Sequence, residues 1–258
     1  MIFTSYFANI PGIDPGRRLV SIARKTPPGV DVEPFPPLFP SPTLLSSYKN
    51  GKVDIEEYER IYREETLAKL NPKQIKRDLS GAVLLCYEKA GDFCHRNIVR
   101  KWLAENDVFS LEYKKSYRVA IVGSREYDRR EEFEWIMDSL MKGFDASQKI
   151  TIVSGGARGA DSFAAEYAKN NGLALIEHPA DWERYGKRAG FVRNASIWND
   201  ADFGIAFWDG KSQGTEHSFH LAKEQGKNLA AYLYTKRCFM IESNEPLFVS
   251  DFCRLPGL

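Results

Sequence analysis

The chain has 258 residues, 43% hydrophobic, 13% aromatic and 28% charged, the proportions of a folded globular protein and not of a disordered or fibrous one. Its 36 Lys and Arg nearly cancel its 35 Asp and Glu, so it has no overall basic excess with which to hold a long nucleic-acid backbone, although a local patch stays open. No run approaches the roughly 18 apolar residues that span a bilayer, and the opening MIFTSYFANIPG lacks the basic-then-apolar order of a secretory signal; the expected location is the cytoplasm, with no membrane partner.

The early stretches FTSYFA and LVSIAR read as strands. Nine of the thirteen prolines then fall between Pro11 and Pro42, crowded into GVDVEPFPPLFPSP, where fixed φ and missing donors exclude helix and central strand. This extended loop carries Val32, Phe35, Leu38 and Phe39, which should hold it against a surface. In DIEEYERIYREETLAKLNP, Ile55, Tyr58, Ile61 and Tyr62 share one helical face, Asp54 can cap the start and Asn71-Pro72 stops it. AVLLCYE (82 to 88) is a short buried strand, and FCHRNIVRKWLAEN returns to helical spacing through Ile98, Val99 and Trp102. Residues 1–113 are therefore expected to form a small α/β unit, followed by the polar join EYKKS.

Beyond the join, RVAIV (118 to 122), ITIV (150 to 153), LALI (173 to 176), FGIAF (203 to 207) and LAAYLY (229 to 234) are buried-strand runs separated by helical stretches. That alternation predicts a second α/β unit over 117–235, with parallel strands, crossover helices and a C-terminal extension over 236–258. One helical face carries Phe133, Ile136, Met137 and Leu140; another carries Phe163, Ala164, Tyr167 and Ala168 and ends at Gly172. The four cysteines, Cys86, Cys94, Cys238 and Cys253, are too few and too irregular for a disulfide framework or a paired CxxC zinc site, so reduced thiols are expected.

In an open parallel sheet the ligand crevice lies beyond the carboxyl ends of the strands. Here those ends read Gly123-Ser124-Arg125, Ser154-Gly155-Gly156-Ala157-Arg158-Gly159-Ala160-Asp161, His178 to Trp182, and Trp208 to Thr215 with Gly214. A glycine at such a turn lets backbone approach a ligand, and bare amides at the following helix start attract an anion. A single glycine turn needs no ligand, but three at one sheet edge suggest a phosphate cradle. Arg125, Arg158, Lys187 and Arg193 are placed to supply charge, whereas Arg188 reads as a solvated helix face. Trp182, Tyr185 and Trp208 can stack on a base or simply pack.

Taken together, IVGSR, IVSGGARGADSFAAEYAKNNG, HPADWERYGKRAGFVRN and DFGIAFWDGKSQGTEHSFHLAKEQGK resemble the YspA/YpsA-related branch of the SLOG superfamily over about residues 117 to 235. The resemblance implies a Rossmann-like sheet flanked by helices and a nucleotide-related ligand. The same superfamily holds the lysine-decarboxylase-like phosphoribohydrolases, which cleave the N-glycosidic bond of a nucleoside monophosphate. By that likeness Arg193 falls at their catalytic arginine, followed by Asn194, and Gly214-Thr215 at their phosphate-binding turn. Their PGGxGT is DGKSQGT here, and their glutamate two residues after the Thr is His217, with Glu216 displaced by one. An N-glycosidase needs a carboxylate near the oxocarbenium-like centre, so this departure favours binding over hydrolysis, with Arg193, Glu216 and His217 as the catalytic candidates if the chain is an enzyme. The DprA family shares the GSR and SGxARGxD turns and binds single-stranded DNA, but this chain lacks a basic stripe with interleaved aromatics, which makes nucleic acid the weaker partner.

LLCYEKAGDFCHRNIVRKWL, with TSYFAN near the start, resembles the family catalogued as domain of unknown function 488, over about residues 1 to 113. Cys86 ends a strand while Cys94 and His95 open a helix, so the three could converge with Glu88 and Arg96; Ser5, Tyr6 and Arg24 at strand ends are their companions. A helix-start Cys94 suits a nucleophile, and Cys86, Cys94 and His95 suit three metal ligands. Equally, Cys86 and His95 can be satisfied core residues. The reading adopted expects no metal and no cofactor. It expects a nucleotide-like small molecule, a nucleoside monophosphate or ADP-ribose type, bound by the second unit, and leaves homo-oligomerisation open; the resemblance to the SLOG superfamily further implies use of the ligand in conflict between bacteria and phages.

Overall fold

The computed structural model describes residues 1–106 and 108–241; within the expected C-terminal extension, residues 242–258 and with them Cys253 lie outside the described residues. The chain divides into two compact units, the first running from Met1 to Lys115 and the second starting at Ser116.

In the first unit, β1 (Ile2–Tyr6), β2 (Leu19–Ser21), β3 (Glu33–Pro34), β4 (Val83–Cys86) and β5 (Ser110–Glu112) form a sheet of order β3-β2-β4-β1-β5 with every pairing parallel. All four β4 residues are buried, as expected of a central strand covered on both faces. The helices are α1 (Pro42–Lys49), α2 (Ile55–Glu65), α3 (Pro72–Asp78) and α4 (His95–Glu105). The proline-rich loop is held down as its apolar content suggests: Leu38 is fully buried, and its carbonyl accepts a 2.6 Å hydrogen bond from the Tyr62 hydroxyl of α2.

Asp54 caps α2 by accepting from the Glu57 amide at 2.8 Å. Tyr58 and Tyr62 face inward, but Ile55, in the first turn, is 48% exposed. Asn71-Pro72 is more than a stop. Asn71 accepts from the amides of Lys73 and Gln74, and Pro72 opens α3, the first-turn position where a missing amide costs nothing.

The second unit runs β6 (Ser116–Gly123), α5 (Arg130–Met141), β7 (Lys149–Ser154), α6 (Ala160–Asn170), β8 (Ala174–Glu177), α7 (Trp182–Tyr185), α8 (Ala189–Asp200), β9 (Phe203–Trp208), α9 (Gln213–Glu224), β10 (Leu229–Leu233) and β11 (Cys238–Ile241). The sheet order is β11-β10-β9-β6-β7-β8, parallel except for antiparallel β11. This is the α/β, Rossmann-like sheet flanked by helices. It does not end at residue 235, since Cys238–Ile241 add an edge strand to β10.

The chain leaves β6 through β7 and β8, then returns to the other side of β6 with β9 and β10. The order therefore reverses between β6 and β9, and a doubly wound sheet opens its crevice at that reversal. One face of the sheet is closed by α8 and α9 over Ala120, Val153, Ala206 and Ala231, with Trp198 of α8 fully buried. Burial of such a side chain contributes roughly 1.5–3 kcal/mol. The other face is an aromatic layer in which Phe133 of α5 lies 4.6 Å from Phe207 of β9 and 5.7 Å from Phe163 of α6.

Candidate functional site

The reversal point carries a cleft of about 380 Å³. Gly123, Ser124, Arg125, Asp161, Trp182, Lys187, Arg193, Asn194, Gly214 and Thr215 line it, so the structure brings together residues from the ends of β6, β7 and β9 and from the α7–α8 segment. Asp209 and Ser212, from the turn after β9, also line it, together with Glu126 and Phe191, which carry no local signal in the sequence. Ser154, Gly155, Gly156, Arg158, Trp208, Glu216 and His217 are not among its lining residues.

The glycine turns do less for a ligand, and more for the chain, than the sequence suggests. A Cβ on Gly155 would fall inside the Arg193 guanidinium and 2.8 Å from its Cδ. On Gly159, whose φ is +79°, it would meet the Arg125 carbonyl oxygen at 2.8 Å. On Gly123 it would meet Ala160 Cβ at 2.7 Å. These three glycines let α6 and α8 close on the strand ends. Gly214 differs: a Cβ there would meet nothing within 4 Å.

The amides show the same division. The Ser124 amide donates to the Phe207 carbonyl at 2.8 Å, the Ala157 and Gly155 amides to the Asp161 carboxylate, and those of Lys211 and Ser212 to Asp209. Among the described residues, these amides of the edge are engaged by the chain itself and do not form a bare row. Gln213 and Gly214, the first two residues of α9, remain as its N-terminal donors, because Thr215 and Glu216 already donate to the Ser212 carbonyl.

Arg193 and Asp161 form the charged centre. Arg193 Nη1 lies 3.1 Å from Asp161 Oδ2, with the side chains 12% and 4% exposed. Burial, opposed by Arg193 and by the Ala157 and Gly155 amides, pushes the Asp161 carboxyl up to about 6. Arg193 Nε is buried and has no partner among the described residues, leaving a donor that a ligand or water would satisfy. The α9 turn is braced by Asn194 Nδ2 donating to the Gly214 carbonyl at 2.8 Å and by Ser212, which donates to Thr215 Oγ1 at 2.9 Å. Ser124 Oγ, 2.9 Å from Ser212 Oγ, joins the β6 end to that turn.

At the rim, Arg125 lies 5.6 Å over the Trp182 ring, which is half exposed. Arg158 is spent on Glu126, both exposed. Trp208 is structural: its Nε1 donates to the Ser212 carbonyl at 3.2 Å and its ring packs on Phe219 at 5.2 Å. Glu216 is exposed, and His217 packs edge-on against Phe191 at 4.8 Å, its pKa lowered by burial.

In the first unit, Arg24, Cys86, Glu88, Cys94 and His95 line a separate cleft of about 880 Å³. Cys86 Sγ lies 3.6 Å from His95 Nδ1, and a hydrogen bond from Cys86 holds the Cys94 thiol well below the ordinary thiol range while Cys86 is held above it. One ligand atom from each of Cys86, Cys94 and His95 lies within 4.8 Å of the others, so this trio could hold a metal. Arg96 is fully buried behind them, bonded to the Glu88 and Lys89 carbonyls and to Glu112. Ser5 is buried, accepting from Asn9, and Tyr6 lies 5.9 Å from the Arg96 guanidinium; neither lines the cleft.

Two family models match the chain. Residues 117–185 match the YspA, cpYpsA-related SLOG family, and residues 8–107 match the Active DUF488-N3 subclade. The first match ends before α8, so Arg193, Gly214 and Thr215 lie outside it. The gene 61 protein of Mycobacterium phage D29 is 37% identical over 116 residues, which cover 42% of this chain and 90% of that protein. A solved structure of DNA processing protein A from Helicobacter pylori, described for its single-stranded DNA binding mode, aligns with a TM-score of 0.36 at 22% identity, over 45% of this chain and 64% of that one. No helix among the described residues is long and apolar enough to cross a membrane.

Proposed function

We propose that the second unit, whose residues 117–185 match the YspA, cpYpsA-related SLOG family, binds a phosphorylated nucleotide-derived small molecule, which it senses or sequesters. The observation that carries this reading is the juxtaposition of Arg193, with its unsatisfied buried Nε, and the open start of α9 in one cleft at the sheet reversal. The helix dipole and a guanidinium favour the same anionic group there. The phosphate would lie between Arg193 and Gly214, with Lys187 and Arg125 adding charge from the rim and Trp182 offering its exposed ring to a base.

Hydrolysis fits less well. Glu216 and His217, the residues nearest in sequence to a phosphoribohydrolase carboxylate, do not line the cleft, while Asp161 is paired with Arg193 and Asp209 caps the α9 turn. Incubation of the full chain with nucleoside monophosphates, diphosphates and ADP-ribose, read by thermal shift and by chromatography of the recovered ligand, tests both points. Stabilisation with every ligand recovered intact supports binding; release of free base or free phosphate replaces it with catalysis; no stabilisation by any member rejects the site.

A further inference from the structure

The first unit holds a constellation for which the nucleotide cleft has no use. Cys86 closes β4, Cys94 precedes α4 and His95 is the first residue of that helix, so strand end and helix start bring two sulfurs and an imidazole together. All three residues are buried, and one ligand atom from each lies within 4.8 Å of the other two. Around a tetrahedral zinc ion, bond lengths of about 2.3 Å to sulfur and 2.0 Å to nitrogen place neighbouring ligand atoms roughly 3.5–3.8 Å apart. The 3.6 Å between Cys86 Sγ and His95 Nδ1 has that spacing.

The imidazole is also oriented for the task. Its Nε2 lies 2.8 Å from the Ile22 carbonyl oxygen, which can only accept, so Nε2 carries a proton, and in the neutral ring Nδ1 is then the nitrogen with the lone pair. Metal-bound histidines are fixed in this way, the remote N–H held by a backbone carbonyl. Tyr62 supports the ring edge-on at 5.5 Å and is itself tied to the Leu38 carbonyl. The chain thus closes the trio from behind. In front, the same three residues line the cleft of about 880 Å³, whose wall also carries the cations Arg24, Lys25 and Lys49 against the carboxylate of Glu88.

We propose that Cys86, Cys94 and His95 bind a zinc-class divalent cation through three protein ligands, with the fourth position open to the first unit's cleft for water or an anionic group of a substrate. Two thiolates and one neutral imidazole suit a borderline-soft ion such as zinc better than magnesium or calcium. Three protein ligands with one open position distinguish a reactive centre from a closed structural one. The basic wall points to an anionic fourth ligand.

The test uses the full chain, purified under reducing conditions after growth with added zinc. Elemental analysis should find an equivalent of zinc per chain, and replacement by cobalt should give tetrahedral ligand-field bands with thiolate-to-cobalt charge transfer. Cys94→Ser is nearly isosteric and places a hydroxyl suited to the N-cap of α4, so it should remain folded by circular dichroism yet retain little zinc and lose part of the charge-transfer intensity. A readout independent of variants is the alkylation of Cys86 and Cys94 by iodoacetamide, which zinc should slow at least tenfold relative to chelator-treated protein. Substoichiometric zinc without cobalt–thiolate bands overturns the proposal. So do a Cys94 that alkylates equally fast with zinc and with chelator, the behaviour of a free nucleophile, and a Cys86–Cys94 disulfide that forms in the presence of zinc.

Discussion

The Arg193 guanidinium fills the space that a side chain on Gly155 would need, so the end of β7 and the middle of α8 are matched to one another through the absence of a single methyl group. Gly155→Ala should push Arg193 off Asp161 and away from its place in the cleft. Because the displaced group is a side chain and not backbone, the chain should still fold, destabilised by about 3–5 kcal/mol as Asp161 loses its counter-charge. Affinity for ADP-ribose should fall about tenfold or more, as for Arg193→Ala, and the double variant should be no weaker than either single one. Calorimetric titration of the three proteins checks this; an additive loss would show that Gly155 meets the ligand independently of Arg193.

Removing Arg193 alone has a second consequence. Asp161 is 4% exposed at its side chain and would be left without its counter-charge. Arg193→Ala should therefore cost about 3–5 kcal/mol of stability, and adding Asp161→Asn should restore much of it while leaving anion affinity low. Urea unfolding of the single and double variants measures the recovery.

Strands β1, β2 and β4 of the first unit and β6 to β10 of the second could be read in the sequence as short runs of apolar or β-branched residues, and the faces of α5 and α6 because their periodicity is strong; β3, inside the proline-rich loop, and the short edge strands β5 and β11 did not stand out from their surroundings. What else escaped was, with one local exception, nonlocal. The first turn of α1 has an explicit signal, Ser41 capping Leu44 ahead of Pro42, but it adjoins a proline-rich loop that masked it. The pairing of Asp161 with Arg193 spans 32 residues, and nothing local distinguishes a capping aspartate from a buried counter-ion. Gly123 and Gly155 were read as making room for a ligand, yet it is α6 and Arg193 that occupy the room; a glycine records that something comes close, not what it is. Glu216 and His217 were placed by alignment with a motif that this chain does not keep, and they fall outside the cleft.

That exclusion makes its own prediction. Glu216→Gln changes an exposed residue outside the cleft, so stability should stay within about 0.5 kcal/mol and affinity for ADP-ribose should be unchanged. A clear loss of affinity or of any turnover would return Glu216 to the site and revive the hydrolase reading.

Trp182 should matter to one part of the ligand only. It is half exposed, and its ring meets Arg125, so Trp182→Ala should leave the melting temperature nearly unchanged. If a base stacks there, affinity for ADP-ribose should drop by about 1–3 kcal/mol while affinity for inorganic pyrophosphate stays the same. Equal losses for both probes would assign Trp182 to positioning Arg125 and not to the base.

The pH response of the cleft centres on Asp161. Burial raises its carboxyl to about 6 from 3.8, against the pull of Arg193 and the Ala157 and Gly155 amides, so the folded chain keeps this proton to higher pH than the unfolded chain does. Its contribution to stability is then complete below the unfolded value and declines as pH rises through about 6, a change on the order of 3 kcal/mol. Asp161→Asn should remove that decline, visible as a flatter melting-temperature profile between about pH 4 and 6.5. An anion docking on Arg193 adds negative charge beside Asp161 and raises its carboxyl further, so binding near pH 6 should take up a proton. ADP-ribose is the suitable probe because its phosphates lack the second ionisation, at about 6, that a monoester carries. Calorimetry in buffers of different ionisation enthalpy should show proton uptake in the parent chain and none in Asp161→Asn. Binding without uptake in the parent would mean that the anion rests at the start of α9 without approaching the Arg193–Asp161 pair.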